Sequence, residues 1–375
     1  MGKAKKLRSR MPPAKLLIFL QTKANHRLMP NSKRDFIIPV FVPHAGCPHQ
    51  CIFCNQNTVT GEVKSIPSRN ELNNIIETFL KFKGNNRNRV QIAFYGGNFL
   101  GIDTDIVRQL LVAATKYVTD GLVDSIRFST RPDTIDDHKL DIIENYPVKT
   151  IELGVQSMDD SVLLLSKRGH TYSDTINAVA LLKKRNFETG LQMMIGLPGD
   201  DESKSLATAR YISALCPDFV RIYPTLVLAG STLAVLYKKG MYKPLSIEQG
   251  VAITKKIYLV FKENKIKVIR MGLQATDELK EGSSVIAGPY HPAFGHLVYS
   301  ELFLDKVINM LEAKHSSNHD SIVIKVHPKS ISMLRGLKNI NIQKIKDLFG
   351  IKSIDIIPDI SLSRDEVKAE YIDRV

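Results

Sequence analysis

From residue 36 onward the chain alternates two hydrophobic patterns. Short apolar runs, "FIIPVFV" (36–42), "VQIAFYGG" (90–97), "SIRFST" (125–130), "TIELGVQS" (150–157), "GLQMMIGLPG" (190–199) and "FVRIYPTL" (219–226), predict strands. Between them, residues 68–82, 103–118, 160–186 and 201–216 place apolar positions at helical spacing, several behind Asp or Ser caps. Such alternation implies parallel strands with right-handed crossovers, hence a barrel or an open doubly wound sheet.

Polar positions within the strands favour the barrel. Strand side chains alternate, so Glu152 and Gln156 share one face, Arg221 and Tyr223 share one, and Gln192 opposes Leu191 and Met193. A sheet covered by helices on both sides would bury these groups at high cost, whereas a barrel wide enough for a ligand gives them partners. A closed core whose polar groups satisfy one another is the competing arrangement.

The 375 residues, 43% hydrophobic and 24% charged, are ordinary globular composition and allow one large domain with a smaller one. Four cysteines, with Cys216 far from the rest, argue against a secreted disulfide framework and for a reducing compartment. Ten Lys or Arg lie in residues 1–34 with no acid before Asp35, so most of the net charge of +14 belongs to an N-terminal arm. Such an arm suits the phosphates of a nucleic acid and equally a solubilising leader. "AKLLIFL" (14–20) lacks a cleavage site of small residues, and no stretch approaches the roughly 20 apolar residues of a membrane span, so the expected protein is soluble and cytoplasmic.

Cys47, Cys51 and Cys54 form a C-x3-C-x2-C run directly after the first strand. A structural zinc site closes with four ligands, for which His44 or His49 is available. A thioredoxin-like motif uses two cysteines and leaves the third unexplained. A 4Fe-4S cubane held by three thiolates keeps one iron open to a small molecule.

The run, with Phe53 just before its last cysteine, resembles the signature of the radical S-adenosylmethionine (radical SAM) superfamily. "YGGNF" (95–99) resembles the glycine pair on which the methionine end of the cofactor rests. "STRPDTI" (129–135), "ELGVQSMDDSVL" (152–163), "KRGHTYSDTINAVALLKKRNF" (167–187), "QMMIGLPGD" (192–200) and residues 220–251 are similar to the subgroup of the elongator catalytic subunit and oxygen-independent coproporphyrinogen oxidase, over about residues 36–280. The resemblance implies a partial (β/α)6 TIM-like barrel at residues 36–284, between the arm (1–35) and a small α+β domain (285–375). It implies a 4Fe-4S cluster on Cys47, Cys51 and Cys54, and S-adenosylmethionine cleaved to a 5′-deoxyadenosyl radical. Phe53, Gly96, Gly97, Asn98, Ser129, Gln156, Arg168 and Gln192 occupy positions of cofactor contacts, and an electron donor such as flavodoxin or ferredoxin is implied. Asn98 replaces the family's common Glu or Thr. Ser129 and Gln192 stand where porphyrinogen-oxidising relatives carry Glu and Asp. Arg221, Tyr223 and Arg270 are the substrate-side candidates, with structural ion pairs as their alternative.

No glycine-rich pyrophosphate loop opens a helix after about residue 285, so the elongator acetyltransferase domain and acetyl-coenzyme A are not implied. Residues 321–358 read strand, turn, helix, strand, with "SMLRGLKNIN" (332–341) as a basic turn suited to phosphate or solvent. His291, His296 and His327 are candidate metal ligands, although scattered histidines are more often ordinary polar residues. Three functions follow: a radical SAM enzyme acting on tRNA or another nucleic acid, one acting on a small molecule or tetrapyrrole, and a zinc-dependent RNA-binding module without catalysis.

Overall fold

The computed structural model describes residues 35–42, 44–48, 50–55, 66–84, 87–273, 284–313 and 320–372. The basic arm and His49 lie outside the described residues. Six parallel strands follow one another in the sheet in chain order: β1 (Phe36–Phe41), β2 (Val90–Tyr95), β3 (Ser125–Thr130), β4 (Val148–Gln156), β5 (Glu188–Ile195) and β6 (Phe219–Pro224). After a short β7 (Val227–Leu228) that leaves the sheet, β8 (Lys267–Met271) adds a seventh parallel strand beside β6.

The sheet is curled into a partial barrel. β2 and β6 are four places apart, about 19 Å in a flat sheet at ordinary strand spacing. Yet the Arg221 guanidinium of β6 donates to the Tyr95 hydroxyl of β2 at 3.2 Å. The expected barrel is therefore present, with one strand more than the six read from the sequence. β8 escaped that reading because it is an edge strand with its side chains largely exposed or half-buried, which blurs the alternation.

Helices α1 (Arg69–Leu80), α2 (Thr104–Thr119), α3 (Asp137–Ile143), α4 (Asp160–Leu165), α5 (Tyr172–Lys184) and α6 (Glu202–Ala214) connect the first six strands. Asp103, Asp136, Asp159 and Asp201 cap α2, α3, α4 and α6 by accepting from backbone N–H groups. Ser68 with Glu71 and Thr171 with Asp174 close capping boxes on α1 and α5. The buried apolar face of the sheet, including Ile92, Phe94, Ile126, Phe128, Leu153 and Leu191, packs with helix residues such as Leu111, Val179, Leu182 and Ile212 in one core.

Helices α7 (Thr232–Lys238) and α8 (Ile247–Glu263) precede β8, and β9 (Val285–Ala287) pairs antiparallel with β7. After α9 (Phe294–Glu312), a second sheet forms in the order β11-β10-β12 from β10 (Ser321–Val326), β11 (Ser353–Pro358) and β12 (Val367–Ile372). α10 (Ile331–Arg335) and α11 (Ile340–Phe349) link β10 to its parallel neighbour β11. A separate core joins Val307 and Leu311 of α9 with Ile322, Ile324 and Ile345. The strand, turn, helix, strand order is present, and β12 is an antiparallel addition to it.

Candidate active site

The cysteine loop leaves the C-terminal end of β1 and lies against the loop that leaves β2. His44 donates its N–H to the Gly96 carbonyl at 2.9 Å, and Asn98 returns one to the Ala45 carbonyl at 2.8 Å. This close approach explains several glycines. A Cβ on Gly97 would sit 2.5 Å from the Val42 carbonyl oxygen, and one on Gly46 would sit 2.3 Å from that of Asn98. Gly46 and Gly96 have φ of 70° and 90°, a region that favours glycine. On its other flank the loop is held through Ile52, which donates to the Ser166 carbonyl at 3.2 Å and accepts from the Leu233 N–H at 2.7 Å.

Two of the expected cofactor residues also make structural contacts within the protein. The Gly97 α-carbon faces the backbone of the cysteine loop, so its missing side chain makes room for protein. Asn98 is fully buried and its amide is spent internally. Its nitrogen donates to the Gly46 carbonyl at 2.8 Å, and its oxygen accepts from Thr130, Thr134 and the Arg131 N–H at 2.7–3.0 Å. Asn98 thereby ties the cysteine loop to the end of β3, and its backbone is engaged as well, donating to the Ala45 carbonyl and accepting from the Gly101 N–H, both at 2.8 Å. Phe53 packs in an apolar cluster with Ile52, Val227 and Leu233.

The thiols sit on this braced loop with Cys51 buried and Cys47 and Cys54 half-buried. Burial, and after it the neighbouring Cys51, push the Cys47 thiol up. Among the described residues no three His, Cys, Asp or Glu side chains are gathered closely enough to form a ready-made cage. The donor set nevertheless fits a soft iron-sulfur group: three thiols, with no fourth cysteine near them in sequence. The buried Arg168 guanidinium donates to Cys51 Sγ at 3.2 Å and to the Gly154 carbonyl at 2.6 Å. Gln156 has a φ of 67°, and its buried Oε1 has no hydrogen-bond partner among the described residues. His170, beside Arg168 and Arg131, is held neutral: burial, then the two guanidiniums, lower it to about 3.

Below the loop, the barrel lumen is organised around Glu152, a fully buried carboxylate. It accepts from the Tyr95 hydroxyl at 3.0 Å and from Gln192 at 2.9 Å, and pairs with Arg221 Nε at 2.7 Å and with Arg127. Burial alone would push the Glu152 carboxyl up. The guanidiniums of Arg221 and Arg127 outweigh it and hold the carboxyl below its ordinary range. Ser129 accepts from Gln192 at 3.3 Å, and Tyr223 accepts from Arg221 at 3.4 Å. Ser129, Gln192, Arg221 and Tyr223 are thus brought together. Arg270 pairs in register with Arg221 but is only half-buried and has no ion pair among the described residues.

Tyr95 and Arg127 belong to this network and were not among the sequence candidates. The signal for Arg127 was present, since Ser125, Arg127 and Ser129 alternate with Ile126 and Phe128 as do the polar positions of β4 and β6. Two of the candidate histidines serve local roles instead: His291 and His327 each accept a backbone N–H two residues on, at 3.1 Å. His296 lies in the first turn of α9.

A family model of the radical SAM superfamily matches residues 41–212, and one of the radical SAM C-terminal domain matches residues 217–303. An uncharacterized protein of Methanocaldococcus jannaschii is 32% identical over 235 residues, which are 59% of this chain and 70% of that protein. The tRNA uridine(34) acetyltransferase of the same organism is 27% identical over 255 residues, 58% of this chain and 47% of the relative. The chain spans about half the length of the acetyltransferases it matches. Among solved structures, the archaeal Elp3 of Methanocaldococcus infernus superposes with a TM-score of 0.59 at 20% identity, over 74% of this chain and 64% of its own.

Proposed function

Because the chain belongs to the radical SAM superfamily, a family of enzymes, we propose that Cys47, Cys51 and Cys54 hold a 4Fe-4S cluster and that the protein reductively cleaves S-adenosylmethionine to modify tRNA. The observation that carries the reading is the three-thiol loop, braced at the C-terminal end of β1 with Cys51 held by the Arg168 guanidinium. Barrel enzymes place their chemistry at that end. When bound, such a cluster supplies the electron that breaks the sulfonium of its co-substrate.

The chain's own residues bind, orient and exclude water. Arg168 holds Cys51 in place, and Gln156 offers a partnerless oxygen to a polar cofactor group. Arg221 and Tyr223 present a fixed cation and a hydroxyl to a substrate entering the lumen. Glu152 is saturated by four side chains, so it orients Arg221 and does not act as a base. The tRNA reading rests on the relatives' activity and on the basic arm, and it would place the protein in the cytoplasm. Among the described residues no helix is long and apolar enough to cross a membrane.

Anaerobic reconstitution with iron and sulfide should give one cluster per chain. Replacing Cys47, Cys51 or Cys54 by alanine should each abolish it, while Cys216→Ala should not. With a reductant and S-adenosylmethionine, the intact protein should release 5′-deoxyadenosine and methionine, faster when tRNA is present. Tightly bound zinc with no iron or sulfide after reconstitution would overturn the enzyme reading, and cleavage indifferent to every tRNA would favour a small-molecule substrate.

A further inference from the structure

The lumen and the thiol loop account for catalysis but leave one cleft unused. It has a volume of about 450 Å3 and lies between the β5–α6 loop, α4, and the chain from α7 to α8. Ile52, immediately after Cys51, is part of its wall. Its polar groups are already satisfied within the protein: Asp200 accepts from the Gly196 N–H at 2.8 Å and from Ser205 at 2.7 Å, and Tyr242 donates to the Gly196 carbonyl at 2.6 Å. Polar groups convergent on a small molecule, the mark of a small-ligand site, are therefore lacking among these residues.

What the cleft offers outward is aliphatic and basic. Leu165 and Met241 line it while 54% and 71% exposed, and Leu164 beside them is 77% exposed. Lys243 lines it too. Lys167 follows Leu165 on the same turn, and Lys238 and Lys239 follow Leu236 of the wall at the end of α7. All four lysines are exposed and none has an ion pair among the described residues.

We infer that this face docks a small acidic one-electron carrier protein that reduces the cluster; the inference rests on the cluster reading above. An apolar centre with Lys243 on its wall and three further unpaired lysines in the flanking chain, against the exposed carboxylates of Asp160 and Asp201, matches a partner of opposite charge, and electron-transfer encounters use small interfaces of this kind. Its position fits the task, because electron transfer falls steeply with distance and Ile52 is bonded directly to Cys51. The carrier loses one electron, the cluster gains it, and no atom is exchanged. A nucleic acid fits the face less well: aliphatic side chains give bases no stacking plane, and no arginine lines the cleft.

The test uses full-length, reconstituted protein carrying Lys167→Glu, Lys239→Glu and Lys243→Glu together, all exposed positions outside the catalytic site. Cluster reduction is followed by stopped-flow absorbance, with reduced flavodoxin, an acidic flavin protein, and separately with dithionite. At low salt the triple variant should be reduced by flavodoxin at least tenfold more slowly than wild type, with a flatter salt dependence, while the dithionite rate stays within twofold. Leu165→Ser with Met241→Ser should slow flavodoxin alone in the same way. Equal flavodoxin rates in wild type and variants would overturn the proposal, as would a wild-type cluster that dithionite reduces and flavodoxin does not. Loss of tRNA binding with unchanged flavodoxin reduction would give the face to nucleic acid instead. Iron and sulfide analysis of the same samples separates these outcomes from a protein that assembles no cluster, which would sink the enzyme reading and the docking face together.

Discussion

At the scale of single residues, Glu152 shows how a buried charge is made tolerable. A lone carboxylate without exposure would take up a proton, yet here two guanidiniums, a phenol and an amide converge on it. Removing the charge leaves Arg127 and Arg221 sharing a neutral partner inside the barrel. Glu152→Gln should therefore destabilise the fold by about 3 kcal/mol, the lower end for breaking a buried pair, because the amide oxygen still accepts a bond. The pH dependence has a definite sign. Since the folded-state carboxyl titrates below its ordinary value of 4.5, its contribution is fully present above pH 4.5 and is lost as pH falls through the lowered folded-state value. Urea melts from pH 7 down to pH 3 should show that loss in wild type and a shallower dependence in Glu152→Gln. Equal slopes in the two proteins would mean that Glu152 is not the ionised hub of the lumen.

At the scale of elements, the cysteine loop and the β2 loop behave as one unit, since each fills the space that a side chain on the other would need. Gly97→Val should therefore prevent cluster assembly, with iron and sulfide content falling to background, because its side chain would strike the Val42 and Ala45 carbonyls. Asn98→Ala, which removes the amide linking Gly46 to Thr130 and Thr134, should lower cluster occupancy and the melting temperature together. A Gly97→Val protein with a full cluster but impaired cleavage would return that glycine to direct cofactor contact. This part of the site was only half legible from the chain. The cysteine spacing and the glycine pair stand out by residue type, but a missing side chain says only that something comes close, and here it is the protein's own backbone. The internal role of Asn98 was not legible for the same reason, because its partners come from 52 residues earlier and over 30 later. The polar faces of β4 and β6 were readable because strand alternation is local. Tyr95 was not, because an aromatic at a strand end reads as core unless the curl that carries Arg221 to it is known.

At the scale of the whole molecule, a polar chain of interactions runs from Asp35 and Glu188, bridged by Arg89 at the start of the strands, through Thr150, Gln91 and Arg127 to Glu152. Asp35, the residue just before β1, lies at the end of the sheet opposite the cysteines. If charge in residues 1–34 acts on a macromolecular partner and not on the cofactor, two measurable quantities separate. If the ten cations of residues 1–34 neutralise tRNA phosphates, tRNA affinity should fall steeply with salt. Deleting the arm should weaken binding at low salt and reduce the log–log salt slope by roughly 0.7 to 0.9 for each phosphate that is no longer neutralised. The same deletion should leave substrate-free cleavage of S-adenosylmethionine within about twofold, because the thiol loop is braced by the β2 loop, α4 and α7. An unchanged salt slope would show that the arm does not meet the nucleic acid, and a collapse of substrate-free cleavage would show that it reaches the active end of the barrel.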